Sequence, residues 1–233
     1  MPRTPSPHDT PPAPDDERLA RARAIMDRLA ALYPDAHCAL DFATPWQLLV
    51  AVILSAQTTD AGVNKVTPVL FERFPGPAEL AAADVLEVEA IVRPAGFFHS
   101  KTKSIMGAAA MVTAEFDGEV PRTMEDLMRL PGVARKTANI VASNAFGVVE
   151  GIAVDTHVFR LAHRFGLSEE KDPDKVERDL MALLPREEWF HVNYRFIDHG
   201  RKICDAKRPV CGACALSDLC PSAFAIKGWR ERA

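Results

Sequence analysis

Four cysteines within 17 residues, Cys204, Cys211, Cys214 and Cys220, constrain this chain more than any other feature. Their spacing is C-x6-C-x2-C-x5-C. Thiols this crowded form either disulfides or metal thiolates. The opening segment MPRTPSPHDTPPAPDD has no apolar core of the kind a secretory signal carries. An export route to an oxidising compartment is therefore not indicated, and a metal site is. A zinc ribbon usually pairs two C-x2-C knuckles across a longer gap. Only one knuckle is present here. One compact loop closing four thiolates on a single centre suits a [4Fe–4S] cluster, with zinc as the alternative. In a short irregular segment such a cluster substitutes for hydrophobic core, as structural metals do. The fifth cysteine, Cys38, has no neighbouring ligand and reads as a small buried hydrophobe.

The rest of the chain reads as all-α. Apolar positions Leu19, Ala22, Ile25, Met26, Leu29 and Leu32 form a helical stripe over 16–33, ended by Pro34. Thr44-Pro45 makes a cap and first turn for a helix through Ala56 that is apolar all round, as a central core helix is. Further helices are predicted over 60–74, 78–92, 100–115, 123–129, 135–146, from Asp155 to near Gly166, from Asp172-Pro173 to Leu184, and over 187–202. Proline and glycine punctuate the gaps between them. No segment alternates with period two between hairpin signals, so no sheet is expected. With 48% apolar residues the chain is globular, and its 233 residues suffice for one large domain or two modest ones. The longest apolar run, Leu48–Leu54, is too short to span a membrane. Residues 1–16, rich in proline and polar side chains, are expected to be a disordered tail.

The formal net charge of −4 gives no global sign of a polyanionic partner, so any affinity for nucleic acid must come from local features. One is the turn Leu130-Pro131-Gly132 between two short helices. Such a turn aims backbone N–H groups and a helix start outward, which binds phosphate without reading bases. Lys136 falls in the first turn of the second helix. An ammonium there opposes the helix dipole, and the free amine that a Schiff-base nucleophile needs is favoured. An ordinary surface lysine beside a phosphate is the simpler reading. Asp155, after apolar Ile152-Ala153-Val154, is a good N-cap for the next helix. It is also a carboxylate able to activate an amine and stabilise developing positive charge. Capping and catalysis are compatible. Arg201, Lys207 and Arg208, before and within the cysteine loop, read either as a solvated basic face or as phosphate contacts held rigid by the cluster.

Taken in order, Leu54-Ser-Ala-Gln-Thr-Thr-Asp60, Leu130-Pro-Gly-Val-Ala-Arg-Lys-Thr-Ala138, Val154-Asp-Thr-His157 and the four cysteines resemble the endonuclease III family. These are helix-hairpin-helix DNA glycosylases with AP-lyase activity. The match runs over about residues 17–222. It implies two helical lobes with DNA and active site between them. One is a six-helix barrel over 39–149 that carries the helix-hairpin-helix. The other is discontinuous, 17–38 plus 150–225, and carries the [4Fe–4S] loop. The resemblance makes Lys136 the Schiff-base nucleophile, Asp155 the essential carboxylate and the four cysteines the cluster ligands. It also makes Gln57 the residue that fills the space of an everted base. Gly96-Phe97-Phe98-His99-Ser100-Lys101 matches a loop in which Phe97 would be a wedge between base pairs, which lowers the cost of flipping. Core packing is the simpler reading of Phe97. DNA contacts are expected at Gln57, Phe97, His99, Gly132, Ala134, Arg135, Thr137, His157, Arg201, Lys207 and Arg208.

Two departures from the family pattern stand out. The second hairpin glycine is Ala134, which is acceptable where that residue is already helical. The wedge loop carries Phe97, Phe98 and His99 where relatives often have leucine, tyrosine and asparagine. The expected activity is base-excision repair. Oxidised pyrimidines are removed from double-stranded DNA, and the abasic site is then cleaved by β-elimination. The expected protein is a cytoplasmic monomer, associated with the nucleoid through DNA and with no membrane partner. Monofunctional relatives such as the adenine-specific mismatch glycosylases usually lack the lysine and carry a further C-terminal domain, whereas 13 residues follow Cys220 here. A non-catalytic DNA-binding or electron-transfer iron–sulfur protein would need neither Lys136 nor Asp155.

Overall fold

The computed structural model describes residues 15–232; residues 1–14, which make up nearly all of the expected tail, lie outside them. Among the described residues the only regular elements are helices. They fall into two compact units, Cys38–Glu150 and a discontinuous one joining the residues up to His37 to Gly151 onward.

The unit Cys38–Glu150 holds α2 (Pro45–Leu54), α3 (Asp60–Arg73), α4 (Pro77–Ala81), α5 (Val85–Val92), α6 (Phe98–Glu115), α7 (Met124–Arg129) and α8 (Arg135–Phe146). Each boundary has a local cause. Thr44 Oγ1 accepts from Gln47 N and Pro45 occupies the first turn, so α2 starts there. Thr59 caps α3, Thr123 caps α7, and Gly147 closes α8 with φ +67°. The segment read as one helix over 78–92 is two helices. Asp84 takes an extended backbone, and its carboxylate accepts from Leu86 N and Glu87 N, starting α5 afresh. The six-helix barrel thus contains seven α-helices among the described residues. α6 begins at Phe98 rather than at residue 100. α2 is buried from Leu48 to Leu54, and α8 and α6 pack against it. A fully buried leucine or isoleucine contributes about 2 kcal/mol, and this helix buries four, Leu48, Leu49, Ile53 and Leu54.

The second unit is built from α1 (Asp16–Leu32), α9 (Thr156–Arg164), α10 (Pro173–Leu183) and α11 (Arg186–Lys202), followed by the cysteine loop. α1 starts inside the expected tail, because Asp15 accepts from Arg18 N and caps it. Ala22, Ile25, Met26 and Leu29 of α1 join Val158, Leu161, Phe165, Leu180 and Phe196 in one core cluster that also includes Cys204 and Leu216. Thus the cysteine loop is packed into the unit. The unit does not stop at residue 225. Gly228, at φ +83°, turns the chain back, Arg230 N donates to Pro209 O and Gly212 N donates to Arg230 O. No helix among the described residues is long and apolar enough to cross a membrane.

Candidate DNA-processing site and cysteine centre

The hairpin turn is fixed by what surrounds Gly132. Its φ is +81°, and a Cβ there would lie 2.7 Å from Ser104 Cβ and 3.3 Å from Ile53 Cγ2. No side chain fits, on conformational and steric grounds together. Through Ile53 the turn meets the end of α2, four residues before Gln57; through Ser104 it meets the first turns of α6, seven residues after Phe97. Three separate motifs therefore converge on one part of this unit.

Ala134 is the N-cap of α8, with φ −87° and ψ 172°, and offers no capping side chain. It is extended, not helical. The substitution for glycine is accommodated because φ is negative, where an L-residue is unstrained. The first-turn N–H groups of α8 keep no side-chain cap, so an anion can take that role. Arg135, Lys136 and Thr137 follow in this turn, all half-buried. The Lys136 amine makes no hydrogen bond or ion pair among the described residues.

Gln57 and Phe97 share an unusual backbone. Both are exposed, and both are non-glycine residues in the left-handed region, at φ 55° and 48°. Phe97 is 67% exposed, so it is not a core residue. The ring that packs is Phe98, under the Arg93 guanidinium at 5.0 Å and beside His99 at 4.0 Å. His99 Nδ1 lies 2.6 Å from Glu89 Oε1.

Asp155 belongs to the other unit. Buried Asn193 donates to Ala153 O at 2.8 Å, and Ile152 N donates to buried Glu177 Oε1 at 3.1 Å. These bonds hold the extended lead-in. Asp155 then caps α9, its Oδ1 accepting from His157 N and Val158 N, both at 2.8 Å. Oδ2 accepts no hydrogen bond among the described residues. Half of the carboxylate is structural and half is uncommitted. His157 Nδ1 lies 3.1 Å from Arg160 Nη2, and both sit where a Cβ on Gly200 would stand.

Cys204, Cys211, Cys214 and Cys220 line one cavity of about 20 Å³, with Phe165, Ile203 and Val210 among its walls. None is in a disulfide. Burial pushes the Cys220 thiol up to about 11 and raises that of Cys214 as well. Donors are aimed at the sulfurs. Arg164 Nη1 is 3.1 Å from Cys204 Sγ, Leu216 N 3.4 Å from Cys214 Sγ, and His199 Nε2 3.6 Å from the same sulfur. Among the described residues no three His, Cys, Asp or Glu side chains are grouped to hold a metal ion. Cys38 is half-buried in the other unit, not fully buried as expected.

Two residues with evident work here were not singled out in the sequence. Arg164 donates to the carbonyls of Cys204, Asp205 and Ala206, and Arg160 to those of Gly200 and Cys204. Burial and the nearby Arg164 hold the Arg160 guanidinium below its ordinary value. Their signal was present: two arginines at i, i+4 on a helix that otherwise carries a strong apolar stripe. Arg201, Lys207 and Arg208 are exposed, and the backbone N–H groups of the last two are gathered by Asp205 Oδ1.

The chain matches the family model for the HhH-GPD superfamily base excision DNA repair proteins over residues 50–186. It is similar to endonuclease III of Synechocystis, 54% identical over 205 residues that cover 88% of this chain and 94% of the relative. It is 42% identical to endonuclease III of Bacillus subtilis over 203 residues, 87% of this chain and 92% of that protein. A solved structure of a trapped endonuclease III–DNA covalent intermediate is 44% identical, with a TM-score of 0.86 over 89% of this chain and 97% of that one. The chain belongs to the endonuclease III family, within the HhH-GPD superfamily of base excision DNA repair proteins.

Proposed function

We propose that this chain removes oxidised pyrimidines from duplex DNA and breaks the strand at the resulting abasic site, with Lys136 as nucleophile and Asp155 as its carboxylate partner. The general activity, DNA glycosylase with AP lyase, is that of the family. The observation that carries the residue assignment is the Lys136 amine. It stands one residue inside the uncapped start of α8, just after the Gly132 turn, and is committed to no partner among the described residues.

The chemistry follows. Lys136 Nζ attacks C1′ of the damaged nucleotide and the N-glycosidic bond breaks, the base leaving with a proton. The sugar ring opens to a protonated imine between Nζ and C1′. That cation acidifies the C2′ proton; its removal expels the 3′ phosphate, and water then releases the enzyme. The uncommitted Oδ2 of Asp155 suits it to accept the lysine proton and to offset positive charge on the sugar. Gln57 would occupy the space of the everted base. Phe97 would insert between base pairs; its exposure, at a left-handed backbone position, supports that role. Gly132, Ala134, Arg135 and Thr137 would hold phosphate through the hairpin. His99, His157, Arg201, Lys207 and Arg208 would add outer contacts to DNA.

The four cysteines would hold a [4Fe–4S] cluster. The fit rests on four unpaired thiols around one apolar-walled cavity, with N–H donors directed at two of the sulfurs. A zinc ion needs four thiolates about 2.3 Å from one point. One compact loop with a single C-x2-C knuckle suits a polynuclear group better. When bound, the cluster cross-links the irregular loop and supplies folding free energy. Protein purified anaerobically is expected to be yellow-brown with about four irons per chain. Colourless protein with one zinc would overturn the assignment. Cys204→Ser should lower the melting temperature and iron content sharply, and Cys38→Ser should leave the iron unchanged.

The nucleoid-associated, cytoplasmic location expected for such an enzyme follows from its substrate. The deciding experiment is a panel of single-lesion duplexes assayed without alkali. Strand breaks at oxidised pyrimidines support the reading. Base release that yields breaks only after alkali would make the chain a monofunctional glycosylase.

A further inference from the structure

We infer that Lys101 is a positioning residue that ties the Gln57 turn to the Phe97 turn, so that the two probes of the DNA stack are held as one rigid element. The inference rests on the reading of Gln57 and Phe97 as DNA-contacting residues.

Lys101 is 4% exposed, buried among the described residues without a carboxylate partner. Its amine instead donates to Thr58 Oγ1 at 2.5 Å and to Ala95 O at 2.7 Å. Thr58 Oγ1 in turn donates to Ala95 O at 2.5 Å. These three groups form a closed triangle. One corner, Thr58, is the residue after Gln57. Another, Ala95, precedes Gly96-Phe97. The third is on α6, and the Lys101 backbone N–H donates to Phe97 O at 3.1 Å. Lys101 therefore holds the wedge turn from both sides, by main chain and by side chain.

A buried ammonium with only neutral acceptors is a costly way to fill space. Burial indeed holds it below its ordinary value. An apolar side chain of the same length would fill the volume at less cost, so the cation does something that packing alone does not. What it does is visible in the backbone. Four non-glycine residues among the described residues have left-handed φ: Gln57, Phe97, Asp117 and Phe224. Two of the four flank this triangle. Such conformations cost of order 1 kcal/mol or more each and persist where the surroundings over-determine them. Here the surroundings that do so are Thr58, Ala95 and Lys101. The result is an exposed ring and an exposed amide held in fixed directions, which spares the ordering cost when DNA is engaged.

The test is Lys101→Met, alone and combined with Phe97→Ala, measured on a lesion in a fully paired duplex and on the same lesion in a mismatch. Lys101→Met is expected to lower excision from the paired duplex about tenfold and from the mismatch by less than about threefold, because unstacking costs less there. In the Phe97→Ala background it should add little, since residues acting as one unit are non-additive. Thr58→Val should reproduce the effect, and Thr58→Ser, which keeps the hydroxyl, should restore it. Amide exchange at residues 56–58 and 95–98 should quicken in Lys101→Met and Thr58→Val, with the melting temperature nearly unchanged. If Lys101→Met fails to fold, the two Thr58 variants carry the same comparison. Equal slowing on both duplexes with unaltered amide exchange would overturn the tie. If Phe97→Ala itself leaves the paired-to-mismatch ratio unchanged, the probe reading fails; quickened exchange at both turns would then still uphold the tie between them.

Discussion

Lys136→Gln is expected to abolish covalent trapping by borohydride. Reduction by borohydride fixes an imine, and glutamine has no nucleophilic amine with which to form one. Strand cleavage should fall by on the order of 10⁴-fold or more, the scale on which removing a covalent nucleophile acts. Folding should be unaffected. The amine has no partner among the described residues, so its loss leaves nothing unsatisfied. DNA binding should persist, because the N–H groups proposed to hold phosphate at the Gly132 turn and the start of α8 are main chain. The measurement is gel mobility of the reduced adduct beside a binding isotherm at the same salt. Robust trapping by the glutamine variant would mean that another amine is the nucleophile.

Asp155→Asn separates the two roles of one carboxylate. Asparagine and aspartate are comparable N-caps. The asparagine Oδ1 can keep both backbone bonds, to His157 N and Val158 N. Its amide nitrogen then stands where the uncommitted oxygen was. Thermal stability should therefore stay within about 0.5 kcal/mol of wild type, whereas Asp155→Ala should lose about 1 kcal/mol with its cap. The glycosylase step should slow about 10²–10³-fold in both, the usual scale for removing one electrostatic stabiliser of a transition state. Single-turnover kinetics on a lesion duplex, with calorimetry of the three proteins, tests this. Near-normal excision by the asparagine variant would reduce Asp155 to a helix cap.

Much of this molecule was legible because short-range chemistry decides it. Thr44-Pro45, Asp172-Pro173 and Asp155 each mark a helix start through bonds within a few residues, and all three helices begin there. The four cysteines could be read as one centre because they lie close in sequence. What escaped depends on tertiary placement. Asp84 is an ordinary cap in a run of helix formers, and only the structure reveals that the chain breaks there. Phe97 and Phe98 are adjacent and chemically alike, so sequence could not say which would be exposed. In the structure Phe97, at a left-handed φ, is the exposed one and Phe98 packs against Arg93 and His99. Arg160, Arg164, Lys101 and Thr58 act across 37 to 44 residues of chain, apart from the nearer link between Lys101 and Ala95. No local pattern encodes such partners.

The discontinuous unit has a consequence for biosynthesis. At translation rates of about 5–20 residues per second, the intervening unit takes roughly ten seconds to emerge from the ribosome. Throughout that interval the apolar stripe of α1 has been made and its partners Val158, Leu161, Phe165 and Phe196 have not. The compact unit Cys38–Glu150 has every one of its contacts available earlier, and domains tend to fold as they are completed. A nascent chain arrested once residue 150 has left the exit tunnel should thus present a protease-resistant core preceded by a protease-sensitive α1. Resistance of α1 should appear only once residues beyond Phe196 have left the exit tunnel.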